Sequence, residues 1–207
     1  MSEAGGRRLP NARLRRFMLA IKEVTGQSGL TTILRQAGLQ RYAGALPPQN
    51  AETGMAAAEF AALTQALENY YGRGARGTLN RIGHEAFALL CAGQPLTIGL
   101  YRLIFPLLAS RRRSQIGLSL VARELAAPAG RVIVQRDDQR WSLLDYEGDA
   151  TFGRARDTAI CWATLGEVQA ALQWATGREY DVAETACKAQ GAPACRFEIG
   201  GDRKSVV

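Results

Sequence analysis

The feature that most constrains this fold is a set of three cysteines and one glutamate near the C-terminal end: Cys161, Glu184, Cys187 and Cys195. Cys161 opens an apolar stretch with helical periodicity, Glu184 ends a strand-like segment, and Cys195 begins the next one. Because strand side chains alternate, Glu184 shares its face with the apolar residue Val182. A lone carboxylate buried there would be costly, and a cation shared with three sulfurs would remove that cost. The pattern therefore predicts a zinc site that joins a helix to a hairpin.

The spacing of these ligands sets a geometric condition. Glu184 and Cys187 lie on opposite faces of an ideal strand, so both reach one ion only if the strand bulges or ends near residues 185–186. A site with four protein ligands is closed and structural, without a vacancy for water. The alternative is that each cysteine simply packs in the core, as buried cysteines often do. Packing is the expectation for Cys91, which belongs to none of the motifs.

Length and composition place the chain among ordinary globular domains. Its 207 residues suit one domain, and we assign it to residues 9–200, with flexible ends at 1–8 and 201–207. No segment approaches twenty consecutive apolar residues, which predicts no membrane-spanning helix, and the N-terminus does not resemble a signal peptide. Cysteines without a secretion signal favour thiols or a metal over disulfides, so we expect a cytoplasmic protein.

The net charge of +7 comes largely from arginine. Such a charge is typical of proteins that bind nucleic acid or a membrane surface. However, no aromatic residues alternate with the arginines, as a single-strand platform would need, and no helix-turn-helix pattern is present. We therefore interpret the arginine runs as solvated helix faces and loop ends, and nucleic acid is not an expected partner. The main runs lie at residues 7–8, 13–16 and 111–113.

The order of the patterns is helices first and strands later. Apolar residues recur at helical spacing in five stretches, at about 14–24, 30–37, 60–70, 75–90 and 96–125. Shorter apolar or alternating runs at 132–134 and 141–144 predict a hairpin with its turn at 137–139. A further helix over 161–176 and a last hairpin formed by 178–184 and 195–199 follow. Helices that cover a small antiparallel sheet make this an α+β domain.

Several segments resemble the 4-vinyl reductase domain family. Residues 184–197 resemble the C-terminal signature of that family, and so does Cys161 at the head of a helix that leads into 174–180. Residues 71–77 and 81–87 are similar to the glycine-rich helix entry of the family. The resemblance covers nearly the whole chain, from residue 9 to residue 199.

The resemblance implies a fold similar to that of TRAPP subunits and of the ligand-binding domains of nitric-oxide sensors. Relatives include the sensory domains of aromatic-responsive transcription activators and a protein tied to vinyl-group reduction in bacteriochlorophyll biosynthesis. In the phenol-sensing members, three cysteines and one glutamate hold zinc. Those ligands correspond by spacing to Cys161, Glu184, Cys187 and Cys195.

The resemblance also implies an apolar pocket beside the metal. Leu165 lies one helical turn beyond Cys161, Val182 shares a strand face with Glu184, and Trp141 could supply an aromatic wall. The aliphatic side chains suggest an apolar ligand, although all three residues could equally fill the core. His84, the only histidine, is expected at the surface.

Three classes of function follow. The first is a sensor or carrier domain that binds a small hydrophobic or aromatic molecule without catalysis. The second is a tetrapyrrole 4-vinyl reductase or an accessory factor, although the glycine-rich segment follows a helix and does not fit a nucleotide fingerprint. The third is a protein-interaction module. We expect a homodimer that forms through the helices around residues 60–71 and 96–108.

Overall fold

The computed structural model describes residues 6–137 and 140–202. The helices are α1 (Asn11–Gln36), α2 (Arg41–Gly44), α3 (Ala57–Tyr71), α4 (Ala75–Ala92), α5 (Pro95–Ile104), α6 (Ser110–Ala126) and α7 (Trp162–Thr176). The strands are β1 (Arg8–Pro10), β2 (Thr53–Ala56), β3 (Val132–Asp137), β4 (Arg140–Asp145), β5 (Tyr180–Ala186) and β6 (Cys195–Asp202). The predicted α+β class with a small antiparallel sheet is confirmed.

The sheet has the antiparallel order β3-β4-β6-β5. Its register forms rows of side chains across the strands, in which Ile199 lies between Trp141 and Val182, and Phe197 lies between Leu143 and Glu184. Leu143, Phe197 and Ile199 are buried. Helices α6 and α7 pack on the sheet and cover this apolar face. The predicted alternation in the last hairpin is therefore correct.

Helices α1, α3 and α4 form a second apolar layer. Leu14, Phe17 and Ile21 follow the predicted periodicity of α1 and are buried. Gly26 interrupts the helix with a φ of 76°, a conformation that glycine adopts without steric cost. The predicted stop at Gly26 thus corresponds to a sharp bend between two helical segments.

Helices α4 and α7 cross at very short range. A methyl group added to Gly83 would lie 2.0 Å from the carbonyl oxygen of Ala163, and one added to Gly166 would lie 2.1 Å from that of Asn80. Only glycine permits such an approach of two backbones. This crossing positions the N-terminal end of α7, where Cys161 lies.

The ends of the chain differ in part from the prediction. Residues 1–5 and 203–207 of the predicted flexible ends lie outside the described residues, as do Asp138 and Gln139 of the predicted turn. Residues 7–8 are instead held in place. Arg8 belongs to β1, which pairs with β2 in a two-stranded ribbon that was not predicted from the sequence. Such short strands carry too little periodicity to be recognised.

No single helix in the described part of the chain is long and apolar enough to cross a membrane; a sharply bent pair, residues 57–92 with 95–107, meets the criterion by length and composition only.

The two helical surfaces proposed for a dimer have different environments. Phe60, Leu63 and Leu67 of α3 are buried within the chain itself, because α1 and α4 pack over them. The prediction assumed that the sheet alone would cover the helices, whereas the helices cover one another. The leucines of α5 are exposed.

Candidate metal centre and neighbouring cavities

The four predicted ligands converge at one point. Their sulfur and carboxylate atoms all lie within 4.8 Å of one another. The Cys161 sulfur lies 3.5 Å from that of Cys195 and 4.0 Å from that of Cys187. All three cysteines are buried and unbridged. The four residues singled out in the sequence therefore form a real cluster.

Each ligand is placed by the end of an element. Cys161 directly precedes α7, Cys187 directly follows β5, and Cys195 is the first residue of β6. The register of β5 against β6 shifts between Glu184 and Ala186. This bulge turns Cys187 towards the side that Glu184 faces, which is the condition that the ligand spacing imposed.

Glu184 carries an unsatisfied charge requirement. Its Oε2 accepts a hydrogen bond of 2.9 Å from the Cys161 amide at the start of α7. Its Oε1 is buried and has no hydrogen-bond partner. Burial, followed by the hydrogen bond to Cys187, raises the pKa of Glu184 to about 8. A cation is the partner that the orphaned oxygen lacks.

The three thiols share a similar restriction. Hydrogen bonds to Cys187 and Cys195, together with burial, raise the pKa of Cys161 well above that of an ordinary thiol. The pKa of Cys187 is lowered, because the thiols of Cys161 and Cys195 stabilise its thiolate. The apo cluster thus favours one thiolate among several neutral groups. A divalent cation would allow all the sulfurs to ionise.

The residues present fit zinc. A tetrahedral ion with zinc–sulfur bonds of about 2.3 Å places its sulfurs about 3.8 Å apart, close to the separations found here. The backbone amide of Lys188 lies 3.4 Å from the Cys195 sulfur, which orients and stabilises that thiolate. Three cysteines with one carboxylate also suit zinc by donor type.

A buried ion cluster, which was not predicted from the sequence, lies in the loop that follows β4. Asp149 accepts hydrogen bonds of 2.8 Å from Arg7 and 2.7 Å from Arg13. Arg13 is 9% exposed, so its interpretation as part of a solvated face was wrong. The sequence did contain a signal, because Arg13 lies one helical turn before Phe17 on the apolar face of α1.

A small cavity of about 20 Å³ lies between this cluster and the metal centre. Arg13, Asp149, Glu167 and Cys161 are among its lining residues. Burial raises the pKa of Glu167 to about 7, although Arg13 and Arg16 attract its charge. The cavity has room for a water molecule but not for an aromatic ligand.

The three residues predicted to line a ligand pocket lie close to the sheet. Leu165 is buried in the core, and Trp141 and Val182 are half-buried against that core. Trp141 and Val182 flank Ile199 in one row of the sheet. None of these three residues lines the small cavity or the larger groove beside α5.

This larger groove opens between α4, α5 and α7. Its volume is about 670 Å³, within the usual range for small-molecule sites. Phe87, Ile98 and Trp174 contribute apolar walls, and the half-buried His84 and Cys91 also line it. Burial raises the pKa of Cys91 to about 11, which keeps the thiol neutral. His84 thus lies at the surface, as expected, but within a groove.

Similarity to known proteins agrees with this geometry. Residues 146–201 match the model of the 4-vinyl reductase domain. The fold is similar to that of an H-NOX protein from S. oneidensis, at 12% identity and a TM-score of 0.56, over 95% of this chain and 100% of that one. An H-NOX protein mutant from K. algicida gives 13% and 0.58, over 96% and 98%.

The phenol-responsive sensory domain of the transcription activator PoxR, solved with phenol, is also similar. It shares 21% identity, with a TM-score of 0.52 over 74% of this chain and 78% of that domain. No curated protein matches the sequence. The family match contains Glu184, Cys187 and Cys195. The resemblance to the 4-vinyl reductase domain family is thus confirmed over residues 146–201, within a fold similar to that of H-NOX proteins and the PoxR sensory domain.

Proposed function

We propose that this protein is a small-molecule sensing domain whose zinc centre is structural. The family match and the fold similarity to sensory domains support a ligand-sensing role. The observation that carries the zinc assignment is the convergence of three buried sulfurs on a carboxylate with an unpartnered oxygen. Cys161, Glu184, Cys187 and Cys195 would hold the ion.

The bound metal would supply cross-linking without a vacancy for catalysis. Cys161 directly precedes α7, whereas the other ligands belong to the last hairpin. The centre thus joins the helix to the sheet at the end where the glycine crossing fixes α7. Ligand-dependent movement of α7 would then reach the hairpin directly.

The zinc assignment predicts about one zinc per chain in reduced, freshly purified protein. Cys195→Ser should lose the metal and lower the melting temperature, because structural zinc binding contributes to the free energy of folding. Elemental analysis and thermal melting with and without a chelator measure both effects. Cys91→Ser, which changes a thiol outside the cluster, is the matched control. Metal-free protein whose melting is insensitive to chelator, or a disulfide between Cys187 and Cys195, would contradict the assignment.

The ligand site is a second part of the proposal. The predicted wall of Trp141, Leu165 and Val182 would receive an apolar ligand between α7 and the sheet after side-chain rearrangement. The groove beside Trp174 has a volume of about 670 Å³ without rearrangement. Its size also keeps a tetrapyrrole among the candidates, which is the form that the bacteriochlorophyll hypothesis takes here.

A thermal-shift screen of aromatics, fatty acids and porphyrins distinguishes these sites. A ligand raises the melting temperature in proportion to its occupancy. Val182→Trp should abolish the shift if the ligand lies against the sheet, and Ala88→Trp should abolish it if the ligand lies in the groove. Each variant serves as the control for the other. No shift with any compound would favour an interaction module over a sensor.

The homodimer and the cytoplasmic location stay predictions. The α3 surface of the predicted interface is internal, which leaves the exposed face of α5 for a second copy. Sedimentation at micromolar concentration tests the dimer, and a monomer mass alone would contradict it.

A further inference from the structure

Helix α5 and the turn that follows it expose an unusual row of leucines. Leu96, Leu100, Leu103 and Leu107 recur at helical spacing and are 89%, 59%, 75% and 84% exposed. We call these four residues the leucine face. The opposite side of the segment is anchored through buried Ile98 and Phe105. Within the described residues, nothing covers the leucine face.

The surroundings of the leucine face are strongly basic. Residues 86–123 contain five arginines, no lysine and no acidic residue. Arg102 lies on α5 itself, and Arg111 and Arg112 are exposed at the start of α6. Like the four leucines, these side chains are set on short-range elements that follow one another in the chain.

A basic groove connects α5 and α6. Its volume is about 420 Å³, and Tyr101 and Leu108 line it together with Arg112 and Arg123. The two arginines are exposed and project from the same side of α6, because eleven positions correspond to about three helical turns. A cationic groove therefore borders the leucine face.

We propose that the leucine face docks on an anionic membrane surface. The leucines would enter the boundary between headgroups and acyl chains, and Arg112 and Arg123 would contact lipid phosphates. An apolar helix face bordered by arginines is the composition of interfacial helices. With ten residues, α5 is about 15 Å long and cannot span a bilayer, so it would lie in the plane of the interface.

Charge favours a lipid surface over a second copy of this chain. A twofold interface places the same patch on both subunits, so the arginines around one leucine face would meet those around the other. An anionic lipid surface supplies the opposite charge and attracts nearby arginines. The proposal is independent of the metal centre and of any ligand.

The test is flotation of the full chain with vesicles of phosphatidylcholine alone and of phosphatidylcholine mixed with phosphatidylglycerol. We expect binding to the anionic vesicles, weakened by salt, and little binding to the neutral ones. The double variant Leu100→Ser/Leu103→Ser should bind at least about tenfold more weakly, because both side chains contribute apolar burial. Phe152→Ser, which changes an exposed aromatic residue elsewhere, should bind like the parent chain.

The charge of the basic groove is tested separately. Arg112→Gln/Arg123→Gln should weaken binding and reduce its salt dependence. Inorganic phosphate at the same ionic strength as a chloride control should compete no better than chloride, because a free-phosphate site would be blocked selectively. Circular dichroism melts confirm that the variants, which change exposed residues, remain folded.

Several outcomes would overturn the proposal. One is equal binding of the parent chain to neutral and anionic vesicles, or no binding to either. Another is a dimer in sedimentation that the leucine variant converts to a monomer without any vesicle binding, which would assign the face to a second copy. Selective competition by inorganic phosphate would assign the basic groove to a soluble anion.

Discussion

Asp149 shows how much one buried carboxylate can organise. It is 4% exposed and pairs with Arg7 and Arg13, which join the N-terminal segment to the loop after β4. Asp149→Asn removes the charge that both guanidinium groups require. We expect a loss of about 3–5 kcal/mol in the free energy of unfolding, the usual cost of leaving buried charges unpaired.

Urea unfolding followed by circular dichroism measures this loss. The control is Glu59→Gln, because Glu59 forms a much more exposed pair with Arg41. That change should cost at most about 1 kcal/mol. Equal losses in the two variants would show that burial does not strengthen the Asp149 cluster.

Glu167 predicts a pH dependence of stability. Its folded-state pKa is raised from 4.5 to about 7 by burial, against the attraction of Arg13 and Arg16 and with repulsion from Asp145. Between these values the unfolded chain has released the proton that the folded chain keeps. The unfolded state therefore binds fewer protons, and this group lowers stability as the pH rises through that window.

Glu167→Gln removes the titration but keeps the shape of the side chain. Relative to the parent protein, the variant should gain melting temperature progressively as the pH rises through the window from 4.5 to about 7. Comparison of the two melting curves across this range cancels the contributions of the other titrating groups. A difference that is independent of pH would contradict the prediction.

At the scale of elements, the crossing of α4 and α7 depends on glycine. Gly83→Ala and Gly166→Ala would each place a methyl group about 2 Å from a carbonyl oxygen of the other helix. Relief of this overlap requires separation of the helices, so we expect each change to cost about 1–3 kcal/mol or more. Chemical denaturation gives the cost.

Gly77→Ala is the matched control for the crossing. Gly77 also lies on α4, but a methyl group there would have no neighbour within 4 Å. Because alanine is the better helix former, this variant should gain up to about 1 kcal/mol. Similar losses in all three variants would mean that the close crossing does not determine the effect.

The metal centre is also a property of elements. The bulge in β5 lies between Glu184 and Ala186, and it allows two residues three positions apart to reach the same point. An uninterrupted strand would direct Glu184 and Cys187 to opposite faces. The bulge is therefore required for function as proposed, and it explains why strand length alone is a poor guide to the site.

At the scale of the whole molecule, α7 connects two apolar clusters. One contains α1, α3 and most of α4, and the other contains the sheet, α6 and α7. Trp162 and Ala163, at the start of α7, pack against the first cluster, while Leu165 and Val168 belong to the second. Cys161 directly precedes this junction, so the proposed zinc lies where the two clusters meet.

The surface of the molecule divides in a similar way. The arginines near the N-terminus are paired internally, as Arg7 and Arg13 are with Asp149. Arg111 and Arg112, in contrast, are exposed close to the leucine face. The net charge of +7 thus has two physical meanings within one chain.

The sequence by itself determined the α+β class, the bend at Gly26 and the four residues of the candidate metal centre. These features depend on local periodicity, on the conformational freedom of glycine, and on donor types that are costly to bury without a shared partner. The alternation around Phe197 was sufficient to orient Cys195 and Ile199 correctly. Even the β5 bulge followed from the requirement that Glu184 and Cys187 meet.

Only the tertiary structure decided which arginines are buried, where the cavities lie and which apolar face is left uncovered. Arg13 and Arg112 both lie in arginine runs, yet one reaches Asp149 across 136 positions and the other faces the surface. The leucines of α5 and those of α3 have the same helical spacing, but only the latter meet other helices. Burial depends on neighbours distant in the chain, and local periodicity carries no information about them.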